Sequence, residues 1–131
     1  MHKVPTLSQV KAIHYKIIRE QGQIYIPLPK TKEVSIESIL IGVNQVVFGE
    51  VLYKTLCDKA VYILDNIQAS QAFPDGNKRV ALATFEFFLF INGSSLYNVS
   101  QTEKKRFMLN LARHRVSREY AIECCIKGLK R

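Results

Sequence analysis

The sequence predicts an all-α fold: a compact bundle of about six helices in a single domain over residues 1–131, with one short extended segment. Three observations predict it. Apolar residues recur at helical spacing along most of the chain, which gathers them on one stripe of each helix. The run from Val80 to Ile91 is apolar on every side, as a helix enclosed by others must be. The chain is 47% hydrophobic with few Gly or Pro, a composition that folds around a core and does not stay disordered.

The elements follow in order. Val10, Ile13, Ile17 and Ile18 form the first stripe, and Thr6 with Gln9 three residues on makes a capping box before it. Ile36, Ile39, Leu40, Val43, Val46 and Val47 form the second, with Ser35 as its cap. Leu52, Leu56, Ala60, Ile63, Leu64 and Ile67 form the third, and Val80 to Ile91 the fourth. Asn92-Gly93 ends that fourth helix, Gly93 being suited to a left-handed C-cap position. Ser100 with Glu103 starts a fifth, carrying Phe107, Met108, Leu111 and Ala112. Ser117 caps a sixth, with Tyr120, Ala121, Cys124 and Cys125 turned inward.

One segment breaks the helical period. Gln23-Ile24-Tyr25-Ile26-Pro27-Leu28-Pro29 alternates and is bounded by Gly22, which reads as extended chain, one arm of a short hairpin. Read from its residues alone, it is a connector anchored by Ile24 and Ile26.

Composition narrows the function classes. The longest apolar stretch, twelve residues from Val80 to Ile91, is too short to span a bilayer. The first residues, Met1-His2-Lys3-Val4-Pro5, have no signal-peptide pattern, and no membrane association is expected. Cys57, Cys124 and Cys125 form no Cys-x-x-Cys pair and no disulfide framework, so they read as small apolar residues in a reducing, cytoplasmic setting. Lys and Arg number 19 against 11 Asp and Glu, a net +8 that favours an acidic partner. No nucleic-acid motif or stacking platform accompanies that charge, so direct binding of DNA or RNA is not expected.

The chemistry concentrates in Gln71-Ala72-Phe73-Pro74-Asp75-Gly76-Asn77-Lys78-Arg79, just before the most apolar helix. Gly76 permits a positive φ, and backbone N–H groups at the helix start favour an anion. Lys78 and Arg79 add positive charge, Asn77 can donate and accept, and Asp75 can hold a Mg²⁺ carried by phosphates. Two cations at a helix N-terminus oppose its dipole unless an anion joins them. Phe73 reads as a core plug that fixes the loop. His14 reads as a packed residue of the first helix, and His2 and His114 lie far from the loop in sequence.

These nine residues resemble the signature of the Fic/Doc superfamily, His-x-Phe-x-[Asp/Asn/Glu]-x-Asn-[Gly/Lys]-Arg, at eight positions. The Asn77-Lys78-Arg79 form, with Leu82 where a second arginine would stand, is similar to the death-on-curing (Doc) branch. The resemblance runs from about Ile36 to Leu129 and implies the all-α Fic/Doc fold. It further implies ATP and Mg²⁺ as cofactors, held by Asp75, Gly76, Asn77, Lys78 and Arg79. The chemistry implied is phosphoryl, or alternatively nucleotidyl, transfer to a protein hydroxyl such as one on elongation factor Tu. The segment between the first helices, here Ile24, Tyr25 and Ile26, would be the flap that grips the target's backbone. Two departures matter: Ala83 stands where a polar Asn helps hold nucleotide, and Gln71 stands where the family has its catalytic histidine. An amide cannot take a proton near neutral pH, and losing a general base costs ~10²–10⁴ in rate. The expectation is therefore a Doc-type toxin in inactive or nearly inactive form; the alternative is a pseudoenzyme that binds nucleotide or protein. No Ser or Thr is followed four residues later by Glu, so the inhibitory helix found in some Fic proteins is absent and an antitoxin in trans is the implied partner.

Overall fold

A computed structural model describes residues 1–130. Six helices appear among them: α1 (Leu7–Glu20), α2 (Lys30–Gly42), α3 (Leu56–Ser70), α4 (Asn77–Ile91), α5 (Gln101–Ala112) and α6 (Arg118–Gly128). A two-stranded sheet, β1 (Val46–Val47) and β2 (Glu50–Val51), lies between α2 and α3. The all-α architecture is as the sequence indicates.

Local chemistry sets most boundaries. Thr6 accepts from the Gln9 N–H and Gln9 bonds back to Thr6, so the capping box forms. Ser100 and Ser117 cap α5 and α6 as expected. Thr55 and Asp58 make a second capping box, which starts α3 at Leu56 and leaves Leu52 outside the helix and exposed. Gly93 has φ 78, the left-handed turn that ends α4.

Four expectations need correction. α2 starts at Lys30, not Ser35, because Pro29, with φ −62 and extended ψ, is already shaped to lead into a helix; Ser35 lies inside, its hydroxyl donating to the Thr31 carbonyl. Val46 and Val47 leave the helix for β1, pairing antiparallel with β2 in the register Val46↔Val51 and Val47↔Glu50. The turn between them is Phe48-Gly49, both at positive φ (51 and 80), the two-residue geometry whose twist matches the strands. The hairpin is thus here and not at residues 23–29, where Pro27 and Pro29 lack the N–H groups a ladder needs. Finally, Tyr120 faces outward at 54% exposure, unlike its neighbours Ala121 and Cys125.

The core lies between α3 and α4, with Ile63, Leu64, Ile67, Val80, Phe85 and Phe88 almost fully buried. α1 packs on α4, α2 on α3, α5 on both central helices and α6 on α3. α4 is enclosed on most of its surface, but Phe90 near its end is exposed and Glu86 takes an ion pair from Lys104 of α5. Arg118 of α6 binds Asp65 of α3 at 2.6 Å. No helix among the described residues is long and apolar enough to cross a membrane. Cys57 and Cys125 are buried, Cys124 is half-buried, and all three are free.

Candidate functional site

The nine-residue loop is the link between the two central helices, so the core positions it. α3 stops because Gln71 takes the left-handed conformation, φ 49 and ψ 36, uncommon for a residue with a side chain. Its Nε2 donates back to the Gln68 carbonyl at 3.0 Å, while the residue as a whole is exposed. Ala72 and Phe73 then dive into the core at 3% and 2% exposure. That burial confirms Phe73 as a plug.

Asn77 closes the loop. Its Oδ1 accepts from the Phe73 N–H at 3.0 Å and its Nδ2 donates to the Phe73 carbonyl at 2.8 Å. Both ends of the amide are thereby committed to backbone, which makes Asn77 a clamp on the loop before it is a ligand to anything else. Asp75 uses Oδ1 to accept from the Gly76 N–H at 2.8 Å, and its carboxylate stays at the surface. Gly76 supplies the turn into α4 with φ 78. The nearest atoms to a Cβ there are Ile18 Cδ1 at 3.6 Å and Ile17 Cγ2 at 3.9 Å, ordinary contacts, so conformation and not space demands glycine.

α4 begins with no side-chain cap and no acidic residue in its first turn. Its opening N–H groups therefore lack a side-chain acceptor, and Lys78 and Arg79 beside them are exposed. Positive dipole and two cations converge with nothing of opposite sign in the first turn of the helix. With the Gln21 amide oriented by its neighbours, its oxygen accepts from the Arg79 guanidinium and its nitrogen donates to Gln23 Oε1 at 2.7 Å. Gln21 sits at the C-cap of α1, so α1 steadies the arginine without neutralising it. Ala83 is half-buried farther along α4.

The one histidine that folding brings to the loop is His14. It is 1% exposed, and its ring lies 4.7 Å from the Phe73 ring centroid to centroid. Burial pushes its pKa below the ordinary imidazole value, while the nearby Asp75 carboxylate and backbone work against that. A ring sealed behind Phe73 cannot reach a substrate hydroxyl, so it is not placed to act as a base there. Nothing in the sequence separated His14 from any packed histidine; its place against the loop comes from the packing of α1 on α4.

Segment 23–29 runs without regular structure. Ile24 and Ile26 are 89% and 57% exposed, so they do not anchor it; Leu28 is buried, and Tyr25 packs on His14 and Tyr15 at 5.2 and 5.0 Å. Among the described residues, no backbone–backbone hydrogen bond involves residues 24–28. The chain there offers open donors and acceptors.

Lys59, which the sequence did not single out, is a buried cation on α3. It bonds Asn44 Oδ1 at 2.7 Å and lies 2.8 Å from His2 Nδ1, and desolvation pushes its pKa down. It ties the N-terminal residues to the end of α2. Cavities of about 510 Å³ between α5 and α6 and about 540 Å³ beside the hairpin lie away from the loop. A helix N-terminus binds phosphate at an open surface, so the absence of loop residues from these cavities does not weigh against it. Among the described residues, no group of three or more His, Cys, Asp or Glu is placed to hold a metal ion. A metal at Asp75 would need its other ligands from phosphate and water.

Compared with models of protein families, residues 5–89 match that of the Fic/DOC family. No match is found among curated proteins. The matched span, about two thirds of the chain, begins earlier than Ile36 and takes in α1, segment 23–29, the hairpin, α3 and the loop, ending within α4. The motif at the α3–α4 junction, the all-α frame that presents it and this match lead to one conclusion: the chain belongs to the Fic/DOC family.

Proposed function

We propose that this chain is a Doc-type toxin of a toxin–antitoxin pair, built for ATP-dependent phosphoryl transfer to a protein hydroxyl and silenced by Gln71. The observation that carries the reading is the start of α4: uncapped N–H groups, no acidic residue in the first turn, and exposed Lys78 and Arg79. That donor set fits triphosphate oxygens, and the exposed Asp75 carboxylate would hold a Mg²⁺ ion that arrives with them. When bound, Mg²⁺ and ATP supply charge neutralisation and the phosphoryl group.

The chain's own residues do the rest. Asn77 holds the loop closed on Phe73, Gly76 aims the N–H groups, and Lys78 and Arg79 offset charge on the phosphates. Lys78 in place of glycine, and Leu82 in place of a second arginine, favour transfer of the terminal phosphate over AMP. Ile24, Tyr25 and Ile26 present backbone without a backbone partner, to which a target strand would add. A translation factor such as elongation factor Tu is the target class. Gln71 cannot accept the hydroxyl proton, and its Nε2 is turned toward Gln68, so turnover stops at binding.

The second reading is a pseudoenzyme that holds nucleotide or a partner. It is favoured by one observation: the loop after Gln71 is closed by three hydrogen bonds of its own, through Asp75 and Asn77. The test is Gln71→His incubated with cell extract and ATP labelled at the α or the γ phosphate. Label arriving from γ is expected. Label from α would mean nucleotidyl transfer, and none from either would favour the pseudoenzyme.

A further inference from the structure

His14 stands between two parts of the site that are far apart in sequence. Tyr25 of segment 23–29 packs on its imidazole at 5.2 Å, and Phe73 of the loop packs on it at 4.7 Å, both tilted by 52°. The ring is 1% exposed and its Nδ1 has no hydrogen-bond partner, while the backbone and carboxylate of Asp75 in the loop also act on the imidazole. A second connection runs parallel to the first: Arg79 to Gln21 and Gln21 to Gln23. Both links leave the loop and end on segment 23–29, at Gln23 and at Tyr25.

We propose that His14 is a positioning residue that couples segment 23–29 to the Phe73–Arg79 loop, so that the state of one sets the order of the other. The physical reason is packing. A buried ring held between two others cannot follow one neighbour without losing contact with the second. An anion at Arg79 would also compete with Gln21 for guanidinium N–H groups, and Gln21 passes that change to Gln23. The use of this coupling, presenting the segment to a target when the loop is filled, rests on the transfer reading above; the coupling itself does not.

Amide hydrogen exchange of the whole chain, followed residue by residue by NMR, tests it. Four protected groups report: Phe73 N–H on Asn77, Gly76 N–H on Asp75, Gln23 N–H on the Ile18 carbonyl, and the core amides of Ile63 and Leu64 as reference. Tyr25→Ala removes one outer ring from a half-buried position. Exchange at Phe73 and Gly76 should then rise about two- to tenfold, the range one ring–ring contact supplies, with Ile63 and Leu64 unchanged. His14→Ala should raise exchange at Gln23 and Phe73 together, and His14→Phe, which keeps both ring faces, should restore protection at both. If His14→Ala does not fold, Tyr25→Ala and His14→Phe decide. A Tyr25→Ala effect confined to residues 23–26, or one equally large at Ile63 and Leu64, overturns the coupling. Adding ATP–Mg²⁺ separates the two readings: coupling without any nucleotide effect removes only the transfer function, and loop protection by ATP without any reach from Tyr25 removes only the coupling.

Discussion

Replacing Asn77 with alanine should destabilise the fold itself, before any question of ligand arises. The side chain makes two bonds to the Phe73 backbone, at 3.0 and 2.8 Å, in a half-buried setting. A net contribution of about 0.5–1.5 kcal/mol per bond gives roughly 1–3 kcal/mol for the pair, with the upper end favoured because Phe73 is buried and its orphaned N–H and carbonyl regain water poorly. For a domain of this size each kcal/mol lowers Tm by about 3–6 °C. Urea unfolding of Asn77→Ala should therefore show a lower midpoint at unchanged slope. Asn77→Asp should fall between the two proteins. It keeps an acceptor for the Phe73 N–H and suits a helix N-terminus, but it loses the donor and sets a carboxylate against the Phe73 carbonyl. A stability within 0.5 kcal/mol of the parent for Asn77→Ala, together with a large loss of nucleotide affinity, would refute this reasoning and return Asn77 to the role of ligand that its sequence position suggested.

Two further outcomes are expected. Lys78→Ala and Arg79→Ala should each weaken ATP–Mg²⁺ binding by about 1.5–3 kcal/mol, the value of a charge-assisted contact, when measured by calorimetry; equal binding by the parent and Lys78→Ala would remove the phosphate-site assignment. Stability should decline as pH falls below about 6.5, because the folded protein holds His14 neutral by burial while the unfolded chain takes up the proton. The folded pKa lies below the unfolded one, so the contribution is complete above 6.5 and shrinks through the window between them. Asp75 on the loop and Tyr25 on the segment face that ring, and His2 shifts in the same direction, so part of the decline should survive in His14→Phe. A His14→Phe protein whose acid limb matches the parent's would show that His14 is not the group responsible.

Much of the fold was legible because its signals are local. The capping pairs Thr6/Gln9, Ser100/Glu103 and Ser117 act within one turn of chain, and the spacing of Ile63, Leu64 and Ile67 states which face of α3 is buried. The same holds for the loop: Gly76 at φ 78, uncapped cations at the start of α4 and a buried Phe73 all follow from residue type and order. Where the sequence misled, two local preferences competed and the nearby turn or proline decided. Val46 and Val47 continue a helical stripe on paper, but the Phe48-Gly49 turn lets them pair across a hairpin. Segment 23–29 alternates like a strand, yet its prolines leave it without a partner.

By itself, then, the sequence determined the six helices and the loop that joins the two central ones, since each depends on neighbours in the chain. Only the tertiary structure decided what those residues touch. It turned the Asn77 amide onto Phe73, set Gln21 against Arg79, and placed His14 between Tyr25 and Phe73. Contacts such as the last span more than 50 residues of chain and come from how α1 settles on α4, a matter of volumes filling one core that no short pattern of residues can encode.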